Sequence, residues 1–171
     1  MESSWILVGM MGAGKSAIGR ALAEVTGREF IDTDQLIQNR LGRPIPQIFQ
    51  IYGEPTFRDH ETSVLKSLEP GMSVVSTGGG LVGREENWYE LRRLGTVCYL
   101  RASHTTLTTR LAVSKKKRPL LQNDTWEDDL RRLMEKRAPL YERADLVVDV
   151  DQDGLDEGLE RVLRAFVEGL R

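Results

Sequence analysis

Apolar residues along this chain follow two rhythms that alternate. Short solid runs have the length of buried strands: Trp5-Ile6-Leu7-Val8, Glu29-Phe30-Ile31, Met72 to Ser76, Thr96 to Leu100 and Leu146-Val147-Val148. Between them lie segments with helical character. These run from Lys15 to about Val25, Gln35 to Leu41, Pro55 to about Leu68, Glu85 to Leu94, Thr105 to about Ala112, and Gly154 to Leu170. Ile45, Ile48, Phe49 and Tyr52 mark a further short helix, which Gly53 is expected to end. Pro55 fits the first turn of the next one. A helix from Trp126 to Ala138 is expected to be interrupted at Pro139. Gly42-Arg43-Pro44 reads as a turn. Ser114 to Asp124, polar and basic with Pro119 inside it, reads as a mobile loop.

Strands alternating with helices imply an α/β fold with a parallel sheet, helices on both faces and ligands at the strands' carboxyl ends. At 171 residues, with no internal repeat, low-complexity tract or linker, the expectation is a single domain over 1–171. The composition, 40% hydrophobic and 29% charged, is that of a folded globular protein rather than a disordered one. A net charge of −2 argues against bulk binding to nucleic acid or an acidic membrane, so local basic clusters matter more than the total. No apolar run approaches membrane-spanning length, and the first strand starts too early to leave room for a signal peptide. The single cysteine, Cys98, excludes an intramolecular disulfide and reads as an inert thiol inside a strand. A cytoplasmic location is expected.

The first chemistry lies directly after the first strand. Gly9-Met10-Met11-Gly12-Ala13-Gly14-Lys15-Ser16 matches the phosphate-binding pattern G-x-x-x-x-G-K-S in its required strand–turn–helix setting. Glycines let the backbone curl so that successive N–H groups point at one anion, and the helix start adds its positive end. Gly12, Ala13, Gly14 and Ala17 then line the phosphates, Lys15 reaches the β- and γ-phosphates, and the Ser16 hydroxyl ligates Mg²⁺. Many such proteins take a supporting aspartate from the end of another apolar strand. Here Val74-Val75-Ser76 ends instead in Thr77 and three glycines. Asp32 is the nearest substitute. If the chain stays extended through Asp32-Thr33-Asp34, both carboxylates point to one face; the alternative is that one of them simply caps the next helix.

Three further features put charge where packing would prefer none. Glu61 falls in the middle of the apolar stripe of Phe57, Val64, Leu65 and Leu68, with Arg58 one turn before it. The two form either a structural ion pair or a device in which Glu61 orients Arg58 toward an anionic ligand. Arg137 lies near the centre of the face made by Trp126, Leu130, Leu133, Met134 and Tyr141. It either snorkels outward or projects inward to meet negative charge, and inward is the favoured reading. Lys115-Lys116-Lys117-Arg118 sits in the mobile loop; it is either solvated surface, as most such runs are, or a basic segment that closes over phosphates and excludes water. Gly78-Gly79-Gly80 allows close approach of a small ligand. His60 and His104 stand apart, without metal-ligand spacing.

These motifs, with Gly53-Glu54-Pro55-Thr56-Phe57-Arg58-Asp59-His60-Glu61, Arg118-Pro119-Leu120-Leu121 and Arg137-Ala138-Pro139-Leu140-Tyr141, occur in the order found in the shikimate kinases, and the chain resembles that family as far as Asp145. The resemblance implies a three-layer P-loop fold like that of the nucleoside monophosphate kinases, with a five-stranded parallel sheet, a substrate-binding helical segment at about 33–61 and a lid at about 113–124. It implies transfer of the γ-phosphate of ATP to the 3-hydroxyl of shikimate; the phosphate-loop reading puts Mg²⁺ on Ser16 and Asp32. Arg58 and Arg137 would hold the shikimate carboxylate, with Glu61 behind Arg58. Asp34 and Gly80 would meet ring hydroxyls beside Gly79, and Phe49 and Phe57 would pack the ring. Arg118 would swing in from the lid and Arg110 would lie along the adenine. A monomer with ATP and shikimate as its partners is expected, without nucleic acid or membrane.

Residues alone leave rivals open. A nucleoside monophosphate or gluconate acceptor would also suit a P-loop kinase with acceptor-side arginines. A GTP switch is disfavoured because none of Asn39, Asn87 and Asn123 is followed by lysine, and a kinase-like protein without activity would be expected to lose Lys15, Asp34 or Arg118.

Overall fold

A computed structural model describes residues 3–151 and 154–169. Its strands β1 (Ser4–Val8), β2 (Glu29–Asp32), β3 (Ser73–Ser76), β4 (Gly95–Arg101) and β5 (Leu146–Asp149) form one sheet in the order β2-β3-β1-β4-β5. All four pairings are parallel. The helices are α1 (Lys15–Thr26), α2 (Thr33–Leu41), α3 (Ile45–Ser67), α4 (Glu85–Leu94), α5 (His104–Ala112), α6 (Trp126–Tyr141) and α7 (Leu155–Gly169). Leaving β1, the chain runs out to β2, returns to β3, and only then crosses to β4 and β5. That reversal opens a crevice at the carboxyl end of β1.

β1 is solidly apolar because both of its faces are covered; Ile6, Leu7 and Val8 are fully buried. Successive side chains alternate. Trp5 stacks on Phe166 of α7, and Leu7 lies under Gly19 of α1, where a Cβ would stand 3.2 Å from its methyl carbon. Val8 points the other way, in register with Tyr99, whose ring stacks on Tyr141 of α6. A second, smaller apolar cluster of Ile37, Ile48, Phe57 and Val64 ties α2 to α3. The helical segment that follows β2 therefore has a core of its own.

Two local expectations are changed. The step Asp32-Thr33-Asp34 is not extended, because α2 begins at Thr33 rather than Gln35. Asp32 Oδ1 accepts from the N–H groups of Asp34 and Gln35, so capping draws the chain into a helix two residues early. Pro139 does not interrupt α6, which continues to Tyr141. The proline removes one hydrogen bond in the last turn, and the complete burial of the Tyr141 ring holds that turn in place. Gly53 does break the helical path: its φ of 80° and ψ of 169° lie outside the helix, so α3 is two helical pieces meeting at that residue. Cys98 is buried as expected, and burial pushes its thiol up to about 12. Gln152, Asp153 and Leu170 lie outside the described residues.

Candidate active site

The loop after β1 has the geometry expected of an anion site. Gly12 and Gly14 adopt φ of 83° and 97°, conformations that side chains with a Cβ resist. Gly14 caps α1 with its backbone alone, and no side chain caps that helix or places an acid in its first turn. By contrast α2 and α5 are capped by Asp32 and Ser103. The start of α1 is thus left positive and uncapped. Lys15 is buried beside it and donates from Nζ to the carbonyls of Gly9, at 2.7 Å, and Met10, at 2.9 Å. Burial lowers its pKa to about 7; Asp34 opposes that fall, and Arg118, Lys116 and Arg137 add to it.

Ser16 Oγ donates to Asp32 Oδ2 at 3.1 Å and lies 3.3 Å from Ser76 Oγ. One carboxylate oxygen of Asp32 caps α2, as the capping reading expected, and the other accepts from the serine of the loop after β1. A hydroxyl and a carboxylate oxygen side by side at the phosphate site are the hard donors that Mg²⁺ accepts.

The end of the cleft expected to take an acceptor, called the acceptor end below, is built from α2, α3, the glycine run and α6. Glu61 is fully buried and its Oε2 accepts from Arg58 Nη1 at 2.7 Å, while Arg58 Nη2 donates to Glu54 at 3.0 Å. Burial pushes Glu61 up to about 7, with Arg58 pulling the other way. Each glycine of the run leaves room for one of these charged groups. A Cβ on Gly78 would stand 2.8 Å from both Asp34 Oδ1 and Glu61 Oε1, and one on Gly79 would stand 3.3 Å from Arg137 Nη1. One on Gly80 would collide with the Arg58 guanidinium. Asp34 Oδ1, Glu61 Oε1 and Arg137 Nη1 are buried and have no hydrogen-bond partner among the described residues. Burial, then the neighbouring Asp32, raises the Asp34 pKa. Phe49 and Phe57 form an apolar wall, their ring centroids 4.6 Å apart.

Phosphate loop, acceptor end and basic loop border one cleft of about 680 Å³, which Lys15, Ser16, Ala17, Asp32 and Asp34 line together with Phe49, Phe57, Arg58, Glu61, Gly79, Gly80, Arg118 and Arg137. Lys116 and Lys117 also reach it. Arg118 Nε is buried without a partner, and burial lowers the arginine's pKa against the pull of Asp34. Arg110 is not in this cleft. With Ala13 it borders a separate groove of about 200 Å³ on the outer side of the phosphate loop. Its Nη1 donates to the carbonyls of Gly12 and Ala13 at 3.3 Å and its Nη2 to Val150 at 2.9 Å.

Sequence reasoning left several contributors without a role. Glu54 is one, although its position four residues before Arg58 is the spacing of a helical ion pair. Thr33, whose Oγ1 accepts from Gly78 N–H at 3.3 Å, and Ser76 join the site through contacts distant in sequence, which no local pattern signals.

A family model described as shikimate kinase matches residues 11–167. A shikimate kinase of Chromohalobacter salexigens is 47% identical over 161 residues, covering 93% of this chain and 89% of that protein. One of Thermodesulfovibrio yellowstonii is 37% identical over 162 residues, 94% of this chain and 93% of that one. Among solved structures, a shikimate kinase from Acinetobacter baumannii in complex with shikimate superimposes with a TM-score of 0.92 at 37% identity, covering 98% of this chain and 94% of that one.

Proposed function

The chain belongs to the shikimate kinase family, and we propose that its cleft works through Lys15, Asp34 and Arg118, with Arg58 and Arg137 gripping the acceptor. It is an ATP-dependent kinase that phosphorylates the 3-hydroxyl of shikimate to give shikimate 3-phosphate, in the route to chorismate and the aromatic amino acids. The observation that carries the assignment of roles is convergence. Two guanidinium groups from α3 and α6 meet an unpartnered aspartate across three glycines, in the same cleft as the phosphate loop.

Phosphoryl transfer asks for alignment and neutralised charge more than for strong acid or base. In the proposed arrangement the loop amides and Lys15 hold the β- and γ-phosphates. Arg58, pre-set by Glu61 and Glu54, binds the acceptor carboxylate together with Arg137, and the wall of Phe49 and Phe57 packs the ring. Gly79 and Gly80 let the acceptor approach the backbone. Asp34, buried and with a raised pKa, accepts a hydrogen bond from the 3-hydroxyl, turns its oxygen toward the γ-phosphorus and takes up its proton as the new O–P bond forms and the bond to ADP breaks. Arg118 comes in from the lid, about 113–124, against the developing charge. Ser16 and Asp32 would hold Mg²⁺; when bound, that ion neutralises charge on the β- and γ-phosphate oxygens. Arg110 and the groove beside Ala13 would flank the adenine.

A cytoplasmic monomer is part of the same reading. Its supports are the single buried cysteine and a cleft completed by one chain; among the described residues no helix is long and apolar enough to cross a membrane. The test is a coupled ADP-release assay with shikimate, gluconate, AMP or no acceptor. ADP release that depends on shikimate is expected. Equal release with gluconate or AMP would undo the acceptor assignment.

A further inference from the structure

The run Arg137-Ala138-Pro139-Leu140-Tyr141 ends in a residue that the reaction as described does not use. Tyr141 is fully buried, and its ring stacks on Tyr99 with centroids 4.9 Å apart and planes inclined by 20°. Its hydroxyl donates to the carbonyl of Gly79, 62 residues away in sequence, and lies 3.6 Å from the sulfur of Met10 in the phosphate loop. A phenol has a single proton. With that proton given to Gly79, the oxygen's lone pairs can only accept, and the neighbouring cation is Arg137, one helical turn back on α6. Burial pushes the Tyr141 hydroxyl up to about 12, and the charge of Arg137 and its hydrogen bond oppose that rise. Arg137 also occupies the space over Gly79, and its Nη1 is buried without a partner.

From this geometry we infer that Tyr141 is a positioning residue for the acceptor site: its hydroxyl occupies the Gly79 carbonyl, so that Arg137 keeps Nη1 for the acceptor's carboxylate. The inference rests on reading Arg137 as a carboxylate ligand. Without the hydroxyl, the Gly79 carbonyl loses its donor, and the Arg137 guanidinium, whose Nη1 already stands over Gly79, is a donor close at hand. Their direct pairing satisfies both and takes the donor from the substrate. Tyrosine kept for packing alone would be replaceable by phenylalanine, because the stack on Tyr99 needs only the ring.

The experiment compares Tyr141→Phe, Tyr99→Phe, Arg137→Ala and the Tyr141→Phe/Arg137→Ala double variant. It reads kcat, both KM values and the melting temperature. Tyr141→Phe is expected to raise the KM for shikimate about tenfold while leaving kcat and the KM for ATP within about twofold. On the Arg137→Ala background the same change should add less than about twofold, since the two residues act as one unit. Shikimate methyl ester, which lacks the carboxylate charge, should bind the parent and Tyr141→Phe equally in calorimetry. For a variant that melts early, calorimetric binding of shikimate at 10 °C gives the same comparison. An unchanged shikimate KM in Tyr141→Phe, a full additive loss in the double variant, or the same loss in Tyr99→Phe would each overturn the inference while leaving the acceptor assignment standing. An unchanged shikimate KM in Arg137→Ala would bring down both.

Discussion

The proposed acceptor end of the cleft and the proposed lid both carry positive charge but hold it in opposite ways. Arg58 is locked between Glu61 and Glu54, and Arg137 is wedged over Gly79 beside Tyr141. In the lid, Lys115, Lys116 and Lys117 are exposed and form no ion pair among the described residues. Burial explains the contrast. Arg58, taken from water, is paired with two carboxylates, whereas the exposed lysines stay solvated; Arg118, half-buried at the end of the lysine run, lies between these cases. On this reading the proposed acceptor end is held by contacts within the chain, whereas the lysines of the loop at about 113–124 stay in water until an opposite charge reaches them. The first should govern acceptor affinity and the second turnover, with Asp34 at the junction.

Replacing the residue at that junction should have the largest effect. Asp34→Asn keeps the size of the side chain but cannot take the hydroxyl's proton, so kcat should fall on the order of 10³-fold. The KM for ATP should stay within about threefold. Steady-state kinetics decide it, and an unchanged kcat would remove Asp34 from the mechanism. Next comes Arg118→Ala. It should lower kcat about 100-fold, leave the KM for shikimate near the parent value and leave the melting temperature unmoved. A drop in melting temperature as large as that of a core substitution would show that the lid is built in advance too, and the contrast would collapse.

Arg58→Ala probes the other end. The KM for shikimate should rise about 30-fold, as for loss of a charge-assisted hydrogen bond, with a smaller change in kcat. Stability should fall as well, in a pH-dependent way. Glu61 is already held up at about 7, and losing Arg58 raises it further. A carboxyl whose folded pKa is raised favours the fold fully below its unfolded value near 4.5 and loses that contribution as pH climbs through the folded value. The melting deficit should therefore be larger at pH 8 than at pH 5.5. An equal deficit at both, with the KM for shikimate untouched, would leave Arg58 as a structural partner only.

How far these parts were legible in the sequence depends on the range of the contact. The Glu61–Arg58 pair and the inward Arg137 could be read because each breaks a helical apolar stripe, a pattern contained within a few turns. The break at Gly53 could be read because a glycine directly after a short helical pattern marks its end. The start of α2 could not, since two local options, an extended strand end and a helix cap, compete for Asp32 and only the formed cap decides between them. The continuation of α6 through Pro139 and the task of Tyr141 both depend on a tertiary contact. Tyr141 meets Gly79 and Met10 across 62 and 131 residues of sequence. No local spacing encodes that meeting.

The smallest expected effect concerns Lys15, which stands between the two ends and shares the character of both. It is buried like the acceptor arginines, yet its hydrogen-bond partners are carbonyls rather than carboxylates. Burial has already brought its pKa down to about 7, so above that pH the empty site holds the neutral amine. Phosphate oxygens supply the missing opposite charge and raise the pKa toward its ordinary value. ATP binding at pH 8 should then take up close to one proton, while at pH 6 the lysine is already charged and contributes almost none. Linked to affinity, this weakens ATP binding only about fivefold between pH 7 and pH 8. Titration calorimetry of ATP at pH 8, without acceptor and in two buffers of different ionisation enthalpy, reads the uptake directly. Equal heats in both buffers would mean that Lys15 is charged before the nucleotide arrives. The phosphate loop would then belong with the acceptor end, as a site completed in advance.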